Sequence, residues 1–196
     1  MTNPCSPSDA LPAGPRPPLL LPPHKMVFPE VNIAHPKILI VDDEPTTVRV
    51  FRKYLADANF ADIVSITDAT HALDIIRHES PDLILLDIVM PGMNGLDILA
   101  AVRNDSEREY VPVIILTAST ASDAKLKALE LGATDFLLKP VDPTELIPRV
   151  HNAIRIKAFY DYYLEYVKYT ASSRRAMNAT AATAGGVFDI FQVVVV

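Results

Sequence analysis

Asp82-Leu-Ile-Leu-Leu86 is followed at once by Asp87 and then by Ile88-Val-Met-Pro-Gly-Met-Asn-Gly95. A short apolar run bounded by turn-forming residues reads as a strand buried on both faces, as at the centre of a parallel sheet. An acid closing such a run is costly unless it meets solvent or a cation. Three further runs resemble it. Lys37-Ile-Leu-Ile-Val41 ends at Asp42-Asp43, Val113-Ile-Ile-Leu116 ends at Thr117, and the weaker Thr134-Asp-Phe-Leu-Leu138 ends at Lys139. Helical patterns separate them. In a parallel sheet the carboxyl ends of the strands share one edge, where ligands bind. Three acids, a hydroxyl and an ammonium then meet in one crevice, a set suited to phosphoryl transfer onto a carboxylate.

Composition narrows the classes. The chain has 196 residues, 49% hydrophobic and 21% charged, as in ordinary globular proteins. A net charge of −6 argues against a nucleic-acid partner, which would demand a basic patch. The lone cysteine, Cys5, excludes an internal disulfide and a cysteine-based zinc site. No stretch reaches 18 apolar residues, so no membrane insertion is expected, and a cytoplasmic location follows. None of the five histidines has metal-ligand spacing.

The chain divides into four parts. Residues 1–35 form a Pro-rich arm, expected to be disordered; ten of the seventeen prolines fall before residue 37. Residues 36–158 alternate strand and helix. The first helix opens at Pro45 and buries Val48, Phe51 and Leu55. A strand at Asp62–Ile66 precedes a helix burying Ala72, Leu73 and Ile76. The third helix is expected to bury Leu96, Leu99 and Ala100, and the fourth Leu126 and Leu129 before stopping at Gly132. The fifth starts at Asp142-Pro143 and buries Leu146, Ile147, Val150 and Ile154. It extends through a linker at 159–170 to about Thr170. Ile156, Phe159, Tyr163 and Tyr166 there are spaced as an interhelical seam, and five of the seven tyrosines lie between 160 and 169. Residues 171–196 read as a low-complexity tail, either the remnant of a lost output domain or an end with strand-forming character, Val187-Phe-Asp-Ile-Phe-Gln-Val-Val-Val-Val196.

Four motifs carry a family resemblance. Ile40-Val-Asp-Asp-Glu-Pro45, Leu85-Leu-Asp-Ile-Val-Met-Pro-Gly-Met-Asn-Gly95, Leu116-Thr-Ala118 and Gly132-Ala-Thr-Asp-Phe-Leu-Leu-Lys-Pro140 resemble the receiver domain of bacterial two-component response regulators. The intervals are also similar: 44 residues from Asp43 to Asp87, 30 to Thr117 and 22 to Lys139. The resemblance implies an α/β fold, a doubly wound, flavodoxin-like sheet of five parallel strands in the order 2-1-3-4-5. It implies a phosphorylation-dependent switch with Asp87 as phosphoacceptor, not an enzyme acting on other substrates. The implied metal is Mg2+ or Mn2+, held by Asp43, Asp87 and the Val89 backbone carbonyl, with Asp42 acting mainly through water. Thr117 and Lys139 would hold phosphoryl oxygens, beside the small Ala118. Phe136 stands where receivers carry an aromatic ring that turns inward on activation. Implied partners are a sensor histidine kinase or a phosphotransfer protein, with a homodimer through helix 4, strand 5, helix 5 and the seam at 156–166. The alternative is the regulatory half of a multidomain regulator whose cyclic-dinucleotide enzyme or histidine kinase output is missing.

Plainer readings stand beside each residue. The acids at 42–44 favour a helix start through its dipole, Thr117 suits a helix cap, Lys139 a solvated surface, and Phe136 a plain core position. A haloacid-dehalogenase type of hydrolase would place a second acid two residues after the nucleophile, where Val89 stands.

Overall fold

The structure, a computed structural model, describes residues 35–108, 110–118 and 122–183, without the side chains of 122–124 and 173–183. The Pro-rich arm before His35 and the valine-rich end lie outside the described residues. Five strands alternate with five helices: β1 (Ile38–Val41), α1 (Pro45–Asp57), β2 (Ile63–Ile66), α2 (Ala72–Glu79), β3 (Leu83–Asp87), α3 (Gly95–Asn104), β4 (Val113–Thr117), α4 (Ser122–Glu130), β5 (Asp135–Leu138) and α5 (Pro143–Thr183). All pairings are parallel, and the order is β2-β1-β3-β4-β5, as the sequence leads one to expect.

Side-chain alternation along the strands builds two cores. Ile38, Ile40, Leu83, Leu85, Ile114 and Leu116 face α1 and α5, where Val48, Phe51, Leu55, Leu146, Val150 and Ile154 meet them. Leu39, Val41, Ile84, Leu86, Val113 and Ile115 face the other way, onto Ala72, Ile76, Ile98, Leu99, Val102 and Ala128. The three inner strands are buried throughout, while β2 and β5 are partly open at the edges. Arg52 of α1 covers the open edge of β2, donating from Nη1 to the Ile63 carbonyl at 2.8 Å and to the Ser65 hydroxyl at 3.2 Å.

Local chemistry sets the helix ends. Pro45 occupies the first turn of α1, where a missing N–H costs nothing. Asn94 caps α3 by accepting from the Leu96 N–H at 2.8 Å, and Asp142 caps α5 by accepting from the Thr144 N–H at 2.7 Å. α4 ends where Gly132 takes φ +89°, and the Ala133 N–H bonds back to the Ala128 carbonyl.

Three expectations need correction. The buried stripe of α3 is Ile98, Leu99 and Val102; Leu96 and Ala100 are only half-buried, as is Leu73 in α2. The helix is apolar at nearly every position from Leu96 to Val102, so its phase is poorly marked. In α4, Leu126 and Leu129 turn outward, 59% and 46% exposed, and Ala128 packs in their place. A small residue, with Leu131 and Ala133 beyond the helix, covers this side of the core. Finally, α5 does not stop near Thr170 but continues to Thr183, so the first half of the expected tail is helical. Among its described side chains the last buried one is Ala158, and Ile156, Phe159, Tyr162, Tyr163, Val167 and Tyr169 are exposed. The length beyond Ala158 is a stalk.

The corrected helix phases have a measurable consequence. Ile98→Ala should cost about 2–5 kcal/mol in urea unfolding, whereas Leu126→Ala should stay within about 0.5 kcal/mol. A larger loss for Leu126→Ala would return α4 to the phase read from the sequence.

Candidate functional site

The parallel register brings the predicted residues together at the carboxyl edge of the sheet. Asp42 and Asp43 directly follow β1, Asp87 is the last residue of β3, Thr117 the last of β4, and Lys139 directly follows β5. Asp42 is 0% exposed and Asp87 6%. The Lys139 ammonium donates to Asp87 Oδ2 at 2.6 Å and lies 2.7 Å from Asp42 Oδ2, where the contact is an ion pair without hydrogen-bond direction. Asp42 Oδ1 accepts from the Glu44 N–H at 3.0 Å, and Asp87 Oδ1 from the Ile88 N–H at 2.7 Å. Thr117 is buried, and its carbonyl accepts from the Lys139 N–H at 2.8 Å, which locks β4 to the lysine. The Lys139–Pro140 peptide is cis.

Two acids share one ammonium, and the pKa shifts follow. Burial pushes the Asp42 carboxyl above its ordinary 3.8, against the pull of Lys139 and of the Glu44 N–H. For Lys139, burial opposes the charge, but the two carboxylates beside it, Asp42 and Asp87, outweigh it and raise its pKa. Because its folded pKa is raised, the charge on Asp42 destabilises the fold at neutral pH. That destabilisation is complete above the raised pKa and disappears below the ordinary value.

The donor set fits a divalent cation. One oxygen from each of Asp42, Asp43 and Asp87 lies within 4.8 Å of the others. Asp42 Oδ2 is fully buried with no hydrogen-bond donor directed at it. Hard carboxylate oxygens in surplus over positive charge suit magnesium or manganese. The bound ion would supply positive charge against clustered carboxylates and phosphate oxygens.

The other predicted residues surround this cluster. Val89 and Ala118 are exposed at its mouth. Phe136 is half-buried in β5, and its ring carries the Lys125 ammonium of α4 at 4.7 Å from the centroid. Two neighbours escaped the sequence reading. Lys125 was hidden because the phase of α4 was misread. Gly95 opens α3 against β3, and a Cβ there would stand 1.9 Å from the Asp87 carbonyl oxygen. The Asn94-Gly95 pair before an apolar run was the available signal.

Parallel order, strand-end acids and a lysine paired to the central aspartate define a receiver-type site. Residues 38–151 match the response regulator receiver domain, and the chain belongs to that family. The DNA-binding response regulator MtrA of Mycolicibacterium smegmatis is 40% identical over 119 residues, covering 61% of this chain and 50% of MtrA. The response regulator PleD of Caulobacter vibrioides is 35% identical over 139 residues, 71% of this chain and 30% of PleD. This chain therefore spans half or less of the length of these relatives. Among solved structures, the chemotaxis protein CheY4 of Vibrio cholerae superposes with a TM-score of 0.57 at 30% identity, over 61% of this chain and 99% of that one. The beryllofluoride-activated receiver domain of Klebsiella pneumoniae RstA gives 0.56 at 31% identity, over 61% and 98%.

Magnesium should stabilise the protein at pH 7, by about 1.4 kcal/mol at tenfold excess over its dissociation constant. Asp43→Asn should abolish that gain while raising the melting temperature of the metal-free protein by a few degrees, since it removes repulsion without breaking an ion pair. The apparent magnesium affinity should fall as pH is lowered toward the raised Asp42 pKa, because proton and metal compete for the same carboxylate. Calorimetric melts with and without magnesium across pH test all three.

Proposed function

We propose that Asp87 accepts a phosphoryl group, either from the phosphohistidine of a sensor kinase or phosphotransfer protein or from a small phosphodonor. In the transfer the donor's bond to phosphorus breaks as an Asp87 oxygen bonds to it, and the donor leaves with the bonding electrons. The observation that carries this reading is the pairing of Asp87, at the end of the central strand, with the half-buried Lys139 ammonium at 2.6 Å. Lys139 is placed to exchange its carboxylate contact for a phosphoryl oxygen, and the Thr117 hydroxyl to bond another. Asp42, Asp43, Asp87 and the Val89 carbonyl would hold the divalent ion, and Ala118 leaves the approach open. Little more is required of the protein, because phosphoryl transfer rests mostly on positioning and charge. The chain acts in this reading as a switch in a cytoplasmic phosphorelay and not as an enzyme on other substrates. Among the described residues no helix is long and apolar enough to cross a membrane.

Residues 36–158 would be the switch and the stalk its output. Phosphorylation would bias a two-state equilibrium of the face made by α4, β5 and α5, to which a ligand contributes only by its differential affinity for the states. The outward Leu126 and Leu129, with Leu138 and the stripe Ile156, Phe159 and Tyr163, support a homodimer there. The second reading, a regulatory half whose cyclic-dinucleotide enzyme or histidine kinase output belongs to a longer chain, is favoured by the stalk running well past the last core residue. Nucleotide sequence downstream of codon 170 in all three frames distinguishes it.

Acetyl phosphate with magnesium should add one phosphoryl group, seen as a mass shift lost in Asp87→Asn and on chelation of the metal. Labelling that survives Asp87→Asn would place the acceptor elsewhere. Beryllofluoride should increase self-association in sedimentation of the whole chain, and much less when the chain ends at Ala158. An unchanged sedimentation coefficient in the whole chain would leave a monomeric shuttle.

A further inference from the structure

α3 joins the acceptor site to the stalk. At its start, the Ile88 peptide unit bridges the two: its N–H is held by Asp87 Oδ1 at 2.7 Å, and its carbonyl accepts the Gly95 N–H at 2.9 Å. No side chain fits between, since a Cβ on Gly95 would meet the Asp87 carbonyl oxygen. At the far end of α3, Arg103 donates from Nη1 to the Val111 carbonyl at 2.8 Å and from Nε to the Gly132 carbonyl at 2.9 Å. Arg108 ties the same connection to Asp105 at 2.9 Å and to the Arg77 carbonyl at 3.0 Å. Between these anchors, Tyr110 stacks on Tyr160 of α5 with ring centroids 3.8 Å apart and planes 25° from parallel. Tyr160 stands two residues beyond Ala158, so this contact lies where α5 leaves the core.

The contact also has room to change. A cavity of about 390 Å3 separates the α3–β4 connection from α5, lined by Glu107, Arg108, Tyr110, Lys157, Tyr160 and Leu164 among others. Arg108 Nε is buried there with no hydrogen-bond partner among the described residues.

We propose that Tyr110 and Tyr160 form a strut through which α3 passes changes at Asp87 to the stalk, alongside any change carried by the α4–β5–α5 face. The proposal rests on Asp87 being the acceptor. Converting the carboxylate to an acyl phosphate, a mixed anhydride, alters what Asp87 offers the Ile88 N–H, and the Ile88 carbonyl carries that change to the first residue of α3. The strut then resets how α5 leaves the core, and with it the direction in which Ile156, Phe159 and Tyr163 face.

Amide hydrogen exchange on the whole chain, with and without magnesium and beryllofluoride, tests this. In the native protein beryllofluoride should slow exchange in the Asp87 loop and change exchange across 159–170 by at least about threefold. Tyr110→Ala and Tyr160→Ala should keep the loop response and lose the stalk response, while Tyr110→Phe, which preserves the stack, should keep both. A stalk response in the alanine variants as large as in the native protein overturns the strut and leaves the acceptor standing, as does a native stalk that does not respond. No response in the Asp87 loop overturns both.

Discussion

Asp42 and Asp87 both hold the Lys139 ammonium, at 2.7 and 2.6 Å, in a crevice closed to most water. Asp43 adds a third carboxylate within 4.8 Å, and among the described residues Lys139 is the cation that the ion pairs place on Asp42 and Asp87. At an effective dielectric of about 20, two like charges about 5 Å apart repel by roughly 3 kcal/mol. That is a sizeable fraction of the 5–15 kcal/mol by which a domain is ordinarily stable. The fold carries this imbalance on three fully buried strands with apolar layers on both faces. The surplus of negative charge makes the site receptive to a divalent ion, and the lysine holds the Asp87 carboxylate in place at the end of the central strand.

Where the sequence was legible, the reason is the coincidence of pattern and chemistry. β1, β3 and β4 are short apolar runs closed by polar residues, and a run buried on both faces admits little else. α1 was legible to the residue because Val48, Phe51 and Leu55 fall at 3-4 spacing on one face, while Val50 between them lies off it and is exposed. α3 and α4 were not. In α3 nearly every residue from Leu96 to Val102 is apolar, so several phases fit. In α4 the leucines at 126 and 129 mimic a stripe, while packing is done by Ala128, whose short side chain leaves no mark on a hydrophobic pattern. The end of α5 was misplaced because an apolar stripe was taken as its limit, although alanine and arginine beyond Thr170 favour helix without one.

The site was legible in its members and not in its contacts. Four motifs in order give Asp42, Asp43, Asp87, Thr117 and Lys139, but only geometry shows that Lys139 bridges two of the acids. Lys125 over Phe136 and Gly95 under Asp87 depend on helix phase and close backbone approach, which one sequence does not display. α5 has a double position in this arrangement. Leu146, Val150 and Ile154 belong to the core beneath β1 and β3, while the same helix forms the stalk. Motion of its inner half is therefore not separable from motion of its outer half.

The guanidinium of Arg52 along β2 has a consequence for life at high concentration. An edge strand offers a row of carbonyls and N–H groups to any passing extended segment. This chain carries a sequence of high β-propensity itself, Val187-Phe-Asp-Ile-Phe-Gln-Val-Val-Val-Val196. With the Ile63 carbonyl already taken by Arg52, a newcomer at that edge would first have to displace a charge-assisted bond and then lie beside a cation. One arginine on a neighbouring helix thus acts as a gatekeeper, keeping the sheet at five strands when copies of the chain are crowded together.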